Sequence, residues 1–238
     1  MASASVVFSR HATIGLFGWV ALVVSMLLVG ALAEPVVFDS TIGTVELEWT
    51  EWVARHRVGV LDPLAAVGSS LTDTWTVIGT AFGAVSMLWL TGYRRHACTL
   101  PVGLAVELTA FLVVSTIIGR ERPDVTPLGS VPSTSSFPSG HVAAGVVLYG
   151  GLVLIAASIT RSKTVQRSAA LVAALVITYV ASARVYEGVH YPTDVIGGAV
   201  LGVGALVVAA STTGLTVPTR RTTGARSPER SRMGVTRS

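Results

Sequence analysis

Residues 138–160 read PSGHVAAGVVLYGGLVLIAASIT. A short polar motif runs directly into an apolar stretch of the length that crosses a bilayer, which takes about 20 apolar residues. The same contrast recurs along the chain. Of its 238 residues 51% are hydrophobic and only 13% are charged, against about 25% charged in a soluble domain. The mean hydropathy is +0.66. These values exclude an ordinary soluble domain and imply an all-α membrane protein.

Working outward, six spans are expected, over 13–33, 73–92, 99–119, 142–160, 168–186 and 194–213. The fold class is therefore a six-transmembrane-helix bundle. The last span is rich in Gly and Ala, which suits close helix packing in lipid. The boundaries divide the chain into an N-terminus of 1–12, a membrane domain of 13–213 and a basic, disordered tail of 214–238. Ala31-Leu32-Ala33 resembles a signal-peptidase site, but an apolar region of about 20 residues exceeds the 7–15 of a secretory signal. The expectation is an uncleaved anchor.

Between the first two spans, Trp49, Trp52, Val53 and His56 recur at helical spacing opposite Glu48, Glu51 and Arg55. This predicts a short interfacial amphipathic helix with its indoles at headgroup depth. The single Cys98 can form no intrachain disulfide. Six spans put both termini on one side, together with Arg94, Arg95, Arg161, Lys163 and Arg167. That side holds 12 of the 17 Lys and Arg residues. The positive-inside rule assigns it to the cytoplasm of a plasma-membrane protein.

The opposite face then receives three polar islands. The third is the most specific in spacing. His190 and Asp194 are four apart around Pro192 and Thr193, which suit a helix start. A carboxylate beside an imidazole fixes its tautomer and strengthens the other nitrogen as a nucleophile. Alone, the pair fits a cap with a surface contact equally. In Pro138-Ser139-Gly140-His141, free N–H groups at a helix start suit an anion, and glycine lets it approach. His141 can donate a proton to a leaving oxygen. An N-cap serine beside a bystander histidine is the other reading. Arg120 and Arg122 offer guanidinium forks that match phosphate oxygens, or contacts to lipid headgroups. Arg184 ends an apolar span, where a charge needs a partner or water.

Arg122-Pro123, then Pro138-Ser139-Gly140-His141, then Arg184 with His190 and Asp194 resemble in order and spacing the type 2 phosphatidic acid phosphatase (PAP2) superfamily. The resemblance covers roughly residues 70–210. It implies a metal-independent membrane lipid phosphatase with no cofactor, acting through a phosphohistidine. His190 is then the nucleophile, Asp194 its orienting carboxylate and His141 the acid. Arg122, Arg184, Ser139, Gly140 and Arg120 would bind phosphate. Two positions depart from the family pattern: Ser115 stands where a lysine is usual, so that either Arg120 supplies the missing charge or the site holds its phosphate with one cation fewer, and Ala183 stands where a serine is usual. Expected partners are the bilayer and a lipid phosphate or diphosphate. The bacterial candidates are a polyprenyl diphosphate, phosphatidate and phosphatidylglycerophosphate, with the first favoured because an outward site suits carrier recycling. No nucleic acid is expected, and no feature specifies an oligomeric state.

Two alternatives share the framework. The phosphohistidine could pass its phosphoryl group to an acceptor other than water. A scaffold or transporter could keep the fold without chemistry, but that predicts damaged motifs, and these are intact. The superfamily's soluble vanadate-dependent haloperoxidases do not match six apolar spans. Glu107, in the middle of the third span, reads as a protonated or hydrogen-bonded structural group. Tyr186 and Tyr191 flank the third island as interfacial tyrosines or as the walls of a lipid opening.

Overall fold

The computed structural model describes residues 2–216, with side chains from residue 10 onward. The described residues are helical and contain no strand. The helix α1 (Ala2–Ala33) continues through a π-helical turn at Glu34–Phe38. After it come α2 (Thr41–Arg55), α3 (Asp62–Ser70), α4 (Thr74–Leu90), the short α5 (Arg94–Ala97) and α6 (Thr99–Ile118). A long loop leads to α7 (Gly140–Gly145), which runs through a second π turn, Val146–Gly150, into α8 (Gly151–Ile159). The described residues end with α9 (Lys163–Tyr186) and α10 (Pro192–Thr213). The basic tail expected over 214–238 lies outside the described residues beyond 216.

Five stretches among the described residues are long and apolar enough to cross a membrane: Arg10–Phe38, Arg94–Ile118, Gly140–Ile159, Lys163–Tyr186 and Pro192–Thr213. The expected second span differs. Asp73 precedes α4, Thr91 and Gly92 end it, and 17 residues remain between them. At 1.5 Å per residue that is about 26 Å, below the hydrocarbon thickness of about 30 Å.

The core forms around α10, which packs against α1, α6 and α7. Leu201, Ala205 and Ala209 of α10 are fully buried, as are Ala110 and Val114 of α6 and Ala143 of α7. Val23 and Met26 bring α1 into the same cluster. Small residues allow the approach. A Cβ on Gly198 would stand 2.3 Å from the carbonyl oxygen of Ser139, so α10 lies directly against the start of α7. Without a side-chain hydrophobic drive in lipid, such backbone proximity is what holds helices together.

α2 forms where an amphipathic helix was expected, but with a different inward face. Gly43, Glu46 and Thr50 are buried, while Trp49 and Trp52 are about half exposed. Burial follows the polar contacts that Glu46 makes, not the indoles.

Candidate active site

The three islands meet at one end of the bundle. They occupy the C-terminal ends of α6 and α9 and the N-terminal ends of α7 and α10. α6 ends at Gly119, whose φ of 66° is left-handed, a conformation that glycine adopts without steric cost. The turn carries Arg120 and Arg122 over the end of the bundle.

His190, His141, Arg122 and Gly140 line one cavity of about 370 Å³. The His190 ring is 2% exposed. Its Nδ1 lies 2.8 Å from the Ser136 carbonyl and 3.7 Å from Asp194 Oδ2. A carbonyl only accepts, so Nδ1 carries the proton and Nε2 keeps its lone pair. The expected direct bond from Asp194 to His190 is thus replaced by a relay. The Ser136 hydroxyl donates to Asp194 Oδ2, and the Ser136 carbonyl holds the ring. Asp194 also accepts the Tyr191 N–H at 2.8 Å and the Arg120 guanidinium at 2.5 Å. Burial pushes His190 below the ordinary histidine value of 6.5. Asp194 opposes that shift, and the positive charges of Arg122 and Arg184 add to it.

His141 Nε2 stands 3.2 Å from Asp73 Oδ1. The carboxylate accepts, so this nitrogen carries a proton. Ser139 is the N-cap residue of α7, yet its hydroxyl makes no capping bond. It is fully buried, and Oγ has no partner. Of the two readings of that serine, capping is therefore not the one its hydroxyl performs.

The arginines divide. Arg122 is clamped by carbonyls: Nη1 donates to Val189 at 2.6 Å, and Nε and Nη2 donate to Thr134 at 3.2 and 3.1 Å. Burial lowers its pKa, Arg184 lowers it further and Asp194 raises it. Arg184 donates through Nη1 to Glu187 at 2.7 Å and to Ser69 at 3.2 Å. Its Nε and Nη2 are buried without partners. Glu187 is itself fixed by Ser69 at 2.7 Å. Burial raises the Glu187 carboxyl, against the lowering effects of Ser69 and Arg184.

Arg120 departs from its expected role. Its guanidinium lies between two buried carboxylates, bonding Asp194 and, at 3.1 Å, Glu46. Phe38 and Tyr191 cover its faces at 3.9 and 4.1 Å. With those partners it is a strut behind Asp194 and not a substitute for the lysine expected at 115. Ser115 is buried and donates to the Leu112 carbonyl of its own helix.

Sequence reasoning missed Glu46, Ser69, Asp73, Ser136 and Glu187. Glu46 accepts from Thr193 N and Oγ1, both at 2.8 Å, and so caps α10 from another helix. Glu187 lay three residues from Arg184, and Asp73 preceded an apolar helix; both carried a local signal. Glu46, Ser69 and Ser136 carried none.

Together the bundle and the site define a membrane-spanning helical protein with a buried histidine facing an arginine-rich pocket. The chain belongs to the PAP2 superfamily, whose pattern matches residues 96–216. It is 33% identical over 121 residues to a protein of Mycolicibacterium smegmatis named decaprenylphosphoryl-5-phosphoribose phosphatase, covering 50% of this chain and 61% of that one. It is 35% identical over 86 residues to phosphatidylglycerophosphatase B of Bacillus subtilis, covering 36% and 42%. The chain thus spans less than two thirds of either relative's length. The fold is similar to that of a transmembrane PAP2 type phosphatidylglycerolphosphate phosphatase from Bacillus subtilis. That match has a TM-score of 0.68 and 20% identity, and it covers 81% of this chain and 94% of the other.

Proposed function

We propose that this protein is an integral-membrane lipid phosphatase that works through a phosphohistidine. One observation carries the reading. Arg184 Nε, Arg184 Nη2 and Ser139 Oγ are buried donors without partners, and the Arg184 and Arg122 charges act on His190. Unsatisfied buried donors are costly, and a phosphoryl group supplies the acceptors and the negative charge that satisfy them.

The chemistry follows from the nitrogens. His190 Nε2 attacks phosphorus, and the bond to the leaving oxygen breaks as the N–P bond forms. His141, entering the step as the imidazolium, gives its Nε2 proton to that oxygen and becomes neutral. Water then attacks the phosphohistidine while His141 takes a proton back, releasing phosphate and restoring both rings. Arg122, Arg184, Ser139 and the Gly140 N–H stabilise the equatorial oxygens, where charge is spread in the transition state. Asp194 holds the charge that develops on His190, through Ser136 and at 3.7 Å through space.

The distribution of arginines supports an outward site with cytoplasmic termini, and α4 completes a six-span layout if it crosses with a local thinning of the bilayer. The test is phosphate release from a panel of lipid phosphates in detergent with excess EDTA. Release unchanged by EDTA is expected; dependence on added metal overturns the mechanism.

The depressed basicity of His190 makes a separate prediction. A neutral nucleophile is present above its pKa and lost as pH falls through it. At pH 6.5 an ordinary histidine is half charged, whereas His190 is expected to be neutral. Nitrogen-15 NMR of histidine-labelled protein, with His190 assigned by substitution, reads this directly. A midpoint at or above 6.5 contradicts it.

A further inference from the structure

Glu107 is a buried acid that the mechanism leaves unused. It lies in α6 and is 4% exposed. Its carboxyl makes no hydrogen bond or ion pair with any described residue. It lines the same cavity as His141 and His190, on an apolar wall with Ile78, Leu104, Leu108 and Phe111. Ile78 and Leu108 are about half exposed, so this wall reaches the lipid-facing side between α4 and α6. Phe111 marks the top of the wall: its ring lies 3.1 Å from where a Cβ on Gly140 would stand. Glu107 is one helical turn deeper, about 6 Å along the axis.

An unpartnered carboxylate on an apolar wall would carry a large desolvation cost. The neutral acid presents one O–H donor and lines the cavity one turn below the end that holds Gly140. A lipid whose phosphate sits between the histidines puts its first linkage there. In a glycerolipid the ester carbonyls are a few bonds from phosphorus and accept a hydrogen bond. A polyprenyl monophosphate offers only hydrocarbon at that depth and leaves the acid unsatisfied, whereas the inner phosphate of a diphosphate would accept its hydrogen bond. A site with a buried polar group rejects a substrate that cannot pair with it.

We propose that Glu107 is a specificity residue that donates a hydrogen bond to an ester carbonyl of the substrate, selecting acylated glycerol phosphates over polyprenyl monophosphates. This deepens the lipid-phosphatase reading and rests on it.

The test compares three substrates in mixed micelles: a diacyl phosphatidate, its dialkyl ether analogue without carbonyls, and a polyprenyl monophosphate. The full chain is assayed with Glu107 intact and as Glu107→Leu and Glu107→Gln. A lost hydrogen bond corresponds to about a tenfold change in kcat/KM. The intact protein should prefer the diacyl substrate to its ether by about that factor. Glu107→Leu should remove the preference by raising KM for the diacyl substrate and lowering it for the polyprenyl substrate, which no longer leaves an acid unpaired. Glu107→Gln keeps a donor and should keep the preference. Equal rates on ester and ether by the intact protein overturn the proposal. So does an equal loss on all three substrates in Glu107→Leu, which indicates a structural or proton-carrying role. Release from none of the three by the intact protein fails the phosphatase reading itself, and the proposal with it.

Discussion

His190→Asn is expected to abolish turnover while leaving the fold intact. The asparagine amide can place an N–H where Nδ1–H now meets the Ser136 carbonyl at 2.8 Å, so the loop keeps its hydrogen bond. Nothing then remains at the position of Nε2 to attack phosphorus. Loss of a nucleophile costs at least about 10³-fold in rate, measured as phosphate release in detergent with thermal stability followed in parallel. Rapid quenching should trap an acid-labile phosphoenzyme in the unmodified protein and none in His190→Asn. His141→Asn should form the phosphoenzyme slowly and also hydrolyse it slowly, because the same nitrogen serves both steps. A His190→Asn protein that retains its rate sinks the nucleophile assignment.

Arg120→Ala is expected to damage stability more than substrate binding. Arg120 lies between Asp194 and Glu46, and its side chain is 8% exposed. Removing it leaves two buried carboxylates facing each other across an empty space. Breaking a buried pair in this way costs about 3–5 kcal/mol, a fall of about 10 °C in the unfolding midpoint for a chain of this size. Arg122→Ala makes the contrast. Its guanidinium bonds only carbonyls and one hydroxyl, so no carboxylate is left bare, and the expected loss lies in KM and kcat. Equal midpoints for the two variants would place Arg120 among the phosphate ligands after all.

Much of the site was legible because its chemistry is local. Pro138 to His141 and Arg184 to Asp194 are contiguous runs, and membrane topology alone brings their ends to one face. Arg120 and Arg122 looked alike in sequence, two residues apart on the same loop. Only the path of that loop separates them. After Gly119 turns the chain, one guanidinium meets Asp194 and Glu46 while the other meets the Thr134, Ser135 and Val189 carbonyls. The His190–Asp194 spacing was read as a direct pair. Ser136 comes between them because Pro138 and Phe137 pack the preceding loop under α10, with Phe137 2% exposed.

By itself the amino-acid sequence determined that this is a helical membrane protein and that its polar motifs share one end of the bundle, and it singled out the histidines and arginines proposed for the phosphate chemistry. Those conclusions need only hydropathy, the cost of charge in lipid and short-range spacing. Tertiary structure decided which donors are left unpaired for a ligand, that Arg120 is a strut, that Glu46 caps a helix 147 residues away, and that Glu107 faces the histidine cavity. Each of these depends on which distant atoms fill a buried group's hydrogen-bonding capacity, and no local pattern encodes that.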